Sequence, residues 1–94
     1  MSFDSTYYLA MQNRTRTLLS AIGMYFSEEE IKFYLHLVDA NEFGVVLEMV
    51  GDSLFEKEEV LEPAVAREFV DLATEVGVPE TVAWVKQQIP EQRG

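Results

Sequence analysis

His36 is the only histidine in the sequence, and it stands between Leu35 and Leu37. It is the one side chain whose unperturbed pKa lies near neutrality, so a general base would have to be built on it. A histidine flanked by leucines on a helix is better explained as a boundary residue hydrogen-bonded to a neighbour or to water. Zinc requires three or four histidine, cysteine or carboxylate ligands, and the sequence has no cysteine and no HExxH pattern. A di-iron bundle requires Glu-x-x-His units, but the residue three before His36 is Phe33. The twelve-residue calcium loop is missing as well. Ser5, Ser20, Ser27 and Ser53 share that single histidine and lie in no nucleophile-elbow motif. Gly23, Gly44, Gly51, Gly77 and Gly94 are too isolated to write a phosphate-binding loop. Carboxylate pairs are plentiful, yet a glycosidase cleft in so short a chain would be cut from its only core. The expectation is a protein that is not an enzyme, with no metal and no cofactor.

The informative chemistry is charge. Seventeen acidic residues against seven basic ones give a formal net charge of -10 in 94 residues. The imbalance is uneven: residues 1–26 hold Asp4 against Arg14 and Arg16, whereas residues 28–62 hold eleven acids against Lys32 and Lys57. Such a surface repels nucleic acid and anionic lipid and steers a basic protein toward itself. Direct nucleic-acid binding and membrane binding are therefore not expected. Imitation of nucleic acid fits the same charge, because carboxylates on a helix can occupy a basic groove that normally receives phosphates. The plainer reading is that acidity only confers solubility.

These residues must be positioned by helices. Tyr8, Met11, Thr15, Leu18, Leu19, Ile22 and Tyr25 recur at steps of three or four, so a first helix is predicted from about Thr6 to Met24, with Ser5 as its cap and Gly23 near its end. Ser27 followed by Glu30 is a capping box, flanked by Phe26 and Ile31 as a hydrophobic staple. It opens a second helix whose core face is Ile31, Tyr34, Leu35 and Val38. Glu28, Glu29 and Glu30 lie in its first turn, where free backbone N–H groups favour carboxylates, so this triplet is partly structural. Asp39-Ala40-Asn41 is read as the turn that caps a third helix from Glu42 to about Phe55, with Phe43, Val46, Leu47, Val50 and Leu54 as its stripe. Glu48, Asp52 and Glu56 repeat every four residues on another face. Like charges at this spacing repel by a few tenths of a kcal/mol per pair, so the ridge invites a reason other than stability.

Residues 56–61 form a charged connection whose state the pattern does not decide. Pro63 then suits a helix N1 position, Val65, Phe69, Leu72, Ala73 and Val76 continue the period, and Gly77 is a C-cap. Pro79 opens a last helix with Val82, Val85 and Ile89 inward and Trp84 off the stripe, and Pro90 ends it. The fold class expected is all-α, a compact bundle or orthogonal array of about five helices forming a single domain over residues 1–94. No window approaches a membrane span, and the first residues lack the basic start and apolar run of a signal peptide, so a cytoplasmic protein is expected. In the adjacent pairs Tyr7/Tyr8 and Phe33/Tyr34, both rings cannot sit at the centre of one stripe. One of each pair is expected to be partly exposed, as an interface anchor is.

The segment from Tyr34 to Leu54, with Glu42 at the turn and Glu48, Asp52 and Leu54 along the following helix, resembles the MafI family of immunity proteins and related small immunity proteins of contact-dependent growth inhibition systems. The later helix from Pro63 to Gly77, followed by Pro79, keeps the same order. The sequence differs at the turn, where Ala40-Asn41 precede Glu42 and the glycine is displaced to Gly44. The resemblance implies a small helical protein, encoded beside a toxin, that binds the toxin's C-terminal domain and shields it from substrate. Glu42, Glu48, Asp52 and Glu56 would then meet lysines and arginines of a basic toxin domain, a ribonuclease suiting that charge best, while Tyr8 or Phe55 supplies the desolvated centre. The alternative is an acidic adaptor or regulator that binds a different basic protein.

Overall fold

The computed structural model describes residues 5–89, and all of the regular secondary structure among them is helical. In chain order it contains α1 (Ser5–Ile22), a 3-10 turn (Gly23–Tyr25), α2 (Glu28–Asp39), α3 (Phe43–Glu56), α4 (Pro63–Glu75), a second 3-10 turn (Pro79–Val82) and α5 (Ala83–Lys86). No strand occurs among the described residues. The expected all-α class and five-helix content are what is observed. The chain forms two compact units, one ending at Phe43 and the other beginning at Gly44.

The first unit is an antiparallel pair, α1 against α2. Its direction follows from two cross-links: Gln12 Nε2 donates to Asn41 Oδ1 at 2.9 Å, and Arg16, one turn later in α1, pairs with Asp39, earlier in the chain than Asn41. Met11, Leu18, Leu19 and Ile22 of α1 are buried, as are Tyr34 and Val38 of α2. Thr15 can share the apolar stripe because its hydroxyl donates to the Met11 carbonyl at 2.7 Å, and no buried side-chain polar atom among the described residues is left unsatisfied. The capping box forms as the spacing requires, with Glu30 N–H donating to Ser27 Oγ at 3.1 Å and Ser27 N–H to Glu30 Oε1 at 2.8 Å. Phe26 stands edge-on to Tyr34 with ring centroids 5.4 Å apart. Ser5 is itself helical, within α1, and so does not cap that helix from outside.

The second unit carries α3, α4 and the short C-terminal helical segment. Val46, Leu47, Val50 and Leu54 of α3, Ala66, Phe69, Leu72 and Ala73 of α4, and Val82, Val85 and Ile89 are its buried apolar residues, with Leu61 of the connection among them. Gly51 is a close-approach position: a Cβ there would lie 3.0 Å from Thr81 Cγ2 and 3.3 Å from the Thr81 carbonyl oxygen. Only a residue without a side chain lets α3 run this near the second 3-10 turn.

Two expectations need correction. Glu42 is not the first residue of α3, and Asn41 does not cap it; Asn41 adopts φ 62 and closes α2 instead. Its N–H donates to the Val38 carbonyl at 2.9 Å, while Glu42 N–H donates to that of Leu37 at 2.9 Å, the Schellman pattern. Asparagine tolerates the left-handed region better than most residues, which is why this polar turn resolves as a C-terminus. The last helix is also shorter than expected, a 3-10 turn followed by a single α-turn. Val78 offers no side-chain cap, and the β-branched Thr81 and Val82 are poor helix formers. The stripe Val82, Val85, Ile89 is nonetheless buried as the period predicts. Pro90, expected to end the helix, lies outside the described residues.

Candidate functional site

At about 100° per residue, the α3 side chains sort into two arcs. Val46, Val50, Leu54 and Leu47 fall on one side and are buried, and Gly51 lies at its edge. Opposite them, within about 120°, fall Phe55, Glu48, Asp52, Val45, Glu56 and Met49, in that angular order, and all six are exposed. The ridge Glu48, Asp52, Glu56 anticipated from sequence is therefore a continuous solvent-facing row. Among the described residues, none of the three is paired with a cationic side chain of its own chain. Asp39 contrasts with them, since Arg16 neutralises it.

The row is not purely acidic. Val45 and Met49 interleave with the carboxylates, and Phe55 is 60% exposed at its end. A face that alternates charge with large apolar side chains combines the two components of a protein interface, long-range steering and a surface that gains from desolvation. Sequence reasoning missed Val45 and Met49 because it followed the buried stripe alone. They lie three residues before and one after Glu48, which already placed them on the acidic arc.

At its C-terminal end the row runs into a groove of about 410 Å³ within the same unit. Phe55, Trp84 and Val60 line it together with Glu56, Glu58, Glu59 and Gln88. The Phe55 and Trp84 rings lie 5.7 Å apart at an interplanar angle of 58°. Gln88 fixes the connection that borders the groove: its Nε2 donates to the Glu59 carbonyl at 3.0 Å, and its Oε1 accepts from Leu61 N–H at 2.8 Å. The charged stretch that sequence left undecided is thus an ordered turn, tied down by a residue 27 and 29 positions away. Glu58 sits in this turn at φ 55. It closes α3 as Asn41 closes α2, with Glu58 N–H donating to the Phe55 carbonyl at 3.0 Å and Glu59 N–H to that of Leu54 at 3.1 Å.

Of the residues singled out in the sequence, Glu48, Asp52, Phe55 and Glu56 are brought together on α3. Glu42 is exposed but belongs to the first unit, where its backbone is tied to α2. Tyr8 also belongs to the first unit; it is half-buried on α1, its ring edge-on to Tyr7 with centroids 5.6 Å apart. Phe33 is the exposed member of its pair and Tyr34 the buried one. Trp84, Val60, Glu58 and Glu59 were not marked as site residues. Trp84 had a usable signal in its position off the inward stripe, while the others depend on a turn that periodicity does not describe.

A second groove, of about 480 Å³, lies in the first unit against Phe26, Ile31, Glu28 and Lys32. Its charges are of both signs, and it selects no partner. No cluster of three metal-ligating side chains occurs among the described residues, and none of their helices is long and apolar enough to cross a membrane. His36 is exposed. No protein-family model, curated protein or solved structure matches the chain.

Proposed function

We propose that this chain is a cytoplasmic immunity protein, which binds the C-terminal domain of a cognate cationic toxin through the exposed face of α3 and denies that domain its substrate. The observation that carries the reading is the row Glu48, Asp52, Glu56, paired with no cationic side chain among the described residues and interleaved with Val45, Met49 and Phe55. Like charges four residues apart cost a helix about 0.2–0.5 kcal/mol per pair, so the row is a small liability to folding that binding to cations would relieve. A ribonuclease is the toxin class that suits it, since a groove built to hold phosphates presents lysines and arginines where this helix presents carboxylates. The resemblance of residues 34–54 to the MafI immunity proteins points to a toxin over other basic proteins.

Co-expression with the product of the adjacent gene tests this. The expected result is a complex that co-purifies in physiological salt and in which the toxic activity of the partner is lost. Capture of a basic protein with no toxic activity would replace the immunity reading with the adaptor one, and absence of any complex would remove the immunity reading.

A further inference from the structure

The groove at the end of α3 has a composition distinct from the row that leads into it. Phe55 and Trp84 present two tilted rings 5.7 Å apart, Val60 is 73% exposed beside them, and the remaining borders carry Glu56, Glu58 and Glu59. Water is a poor occupant for exposed aromatic and aliphatic surface, and three carboxylate-bearing residues around it select a cation. The faces of aromatic rings attract cations through their quadrupole. A guanidinium is flat, weakly hydrated and able to stack, whereas an ammonium is a compact, strongly hydrated point charge.

We propose that this groove is the seat of a partner's arginine side chain, which packs against the exposed surface of the Phe55–Trp84 ring pair while Glu56, Glu58 and Glu59 neutralise it and an apolar neighbour covers Val60. The proposal rests on reading the α3 face as a docking surface for a basic protein, and it names the anchor of that docking. The carboxylate row steers; the groove holds. Gln88 contributes by fixing Glu59 and Leu61, so that the groove is formed before the partner arrives.

Trp84 is the only tryptophan in the sequence, so its indole N–H is a single reporter inside the groove. The 94-residue chain is titrated with a blocked hexapeptide alternating arginine and leucine, and with the same peptide carrying lysine or neutral citrulline in place of arginine. The expected result is a saturable shift of the Trp84 indole resonance with the arginine peptide, binding about threefold weaker with lysine, and no shift with citrulline. Phe55→Ala should weaken the arginine peptide about fivefold without altering the helical circular dichroism, since Phe55 is exposed. Glu56→Gln should weaken it while leaving the arginine-over-lysine preference in place. Equal response to arginine and lysine, or an indole resonance that does not move, would overturn the proposal. Because no toxin is present, that failure would leave the reading of the α3 row standing, and a toxin that ignores the row would not by itself produce it.

Discussion

Glu58 holds a backbone conformation that glycine adopts without cost and that costs a side-chain-bearing residue about 1 kcal/mol. Gly77 fills the corresponding position after α4, at φ 86, with the same pair of hydrogen bonds, from Gly77 N–H to the Thr74 carbonyl and from Val78 N–H to that of Ala73. Replacing Glu58 by glycine should therefore raise stability by about 0.5–1 kcal/mol in urea unfolding. It also removes a carboxylate from the groove, so binding to a cationic partner should fall as stability rises. A variant that loses stability would show that the Glu58 side chain holds the turn in a way its geometry does not suggest. Tyr34 is the other residue with a measurable signature. Burial first, and the Glu30 carboxylate one turn away second, push its phenol above the ordinary value of 10.0. The folded state thus keeps a proton that the unfolded chain gives up. The stability this confers is complete below about pH 10 and is lost as pH rises through the folded-state value. Tyr34→Phe should unfold like the parent at neutral pH and lose less stability above pH 10; parallel alkaline curves would contradict that assignment.

At the scale of elements, α3 is held by what Gly51 lacks. Alanine in place of a mid-helix glycine ordinarily favours the helix by about 1 kcal/mol. Here the added methyl would meet the Thr81 side chain at 3.0 Å and its backbone carbonyl at 3.3 Å, and Thr81 N–H is itself bonded to the Val78 carbonyl. Overpacking against backbone costs about 1–3 kcal/mol, more than the propensity returns. Gly51→Ala should lower the midpoint of thermal unfolding; a higher midpoint would mean that the turn yields. Helices of this kind are legible in sequence to the extent that one face is buried. The stripes Met11 to Ile22 and Phe43 to Leu54, the Ser27/Glu30 box, Pro63 at N1 and the terminating Gly77, left-handed just after the Val76 C-cap, all reappear in the structure because each follows a short-range pattern. The groove was not legible. It depends on Gln88 reaching Glu59 and Leu61 and on Phe55 meeting Trp84, pairings with no local trace. The form of the turn after the third helix and the break in the last one escaped for a related reason: a left-handed glutamate and a 3-10 turn follow no apolar period.

At the scale of the whole molecule, the net charge of -10 acts on folding and on encounter with opposite sign. Carboxylates on one chain repel one another, so added salt should stabilise the fold; carboxylates facing a cationic partner attract it over a Debye length of about 8 Å at physiological ionic strength, so added salt should slow association. That opposition separates a functional acidic surface from a merely solubilising one. Stopped-flow association with the proposed toxin partner, at two salt concentrations, for the parent chain and for the double variant Glu48→Lys with Asp52→Lys, is the most direct measurement. Association of the double variant should be slowed by about tenfold or more at low salt with a flattened salt dependence, the helical unfolding transition being preserved. An association rate and salt slope equal to those of the parent would contradict it.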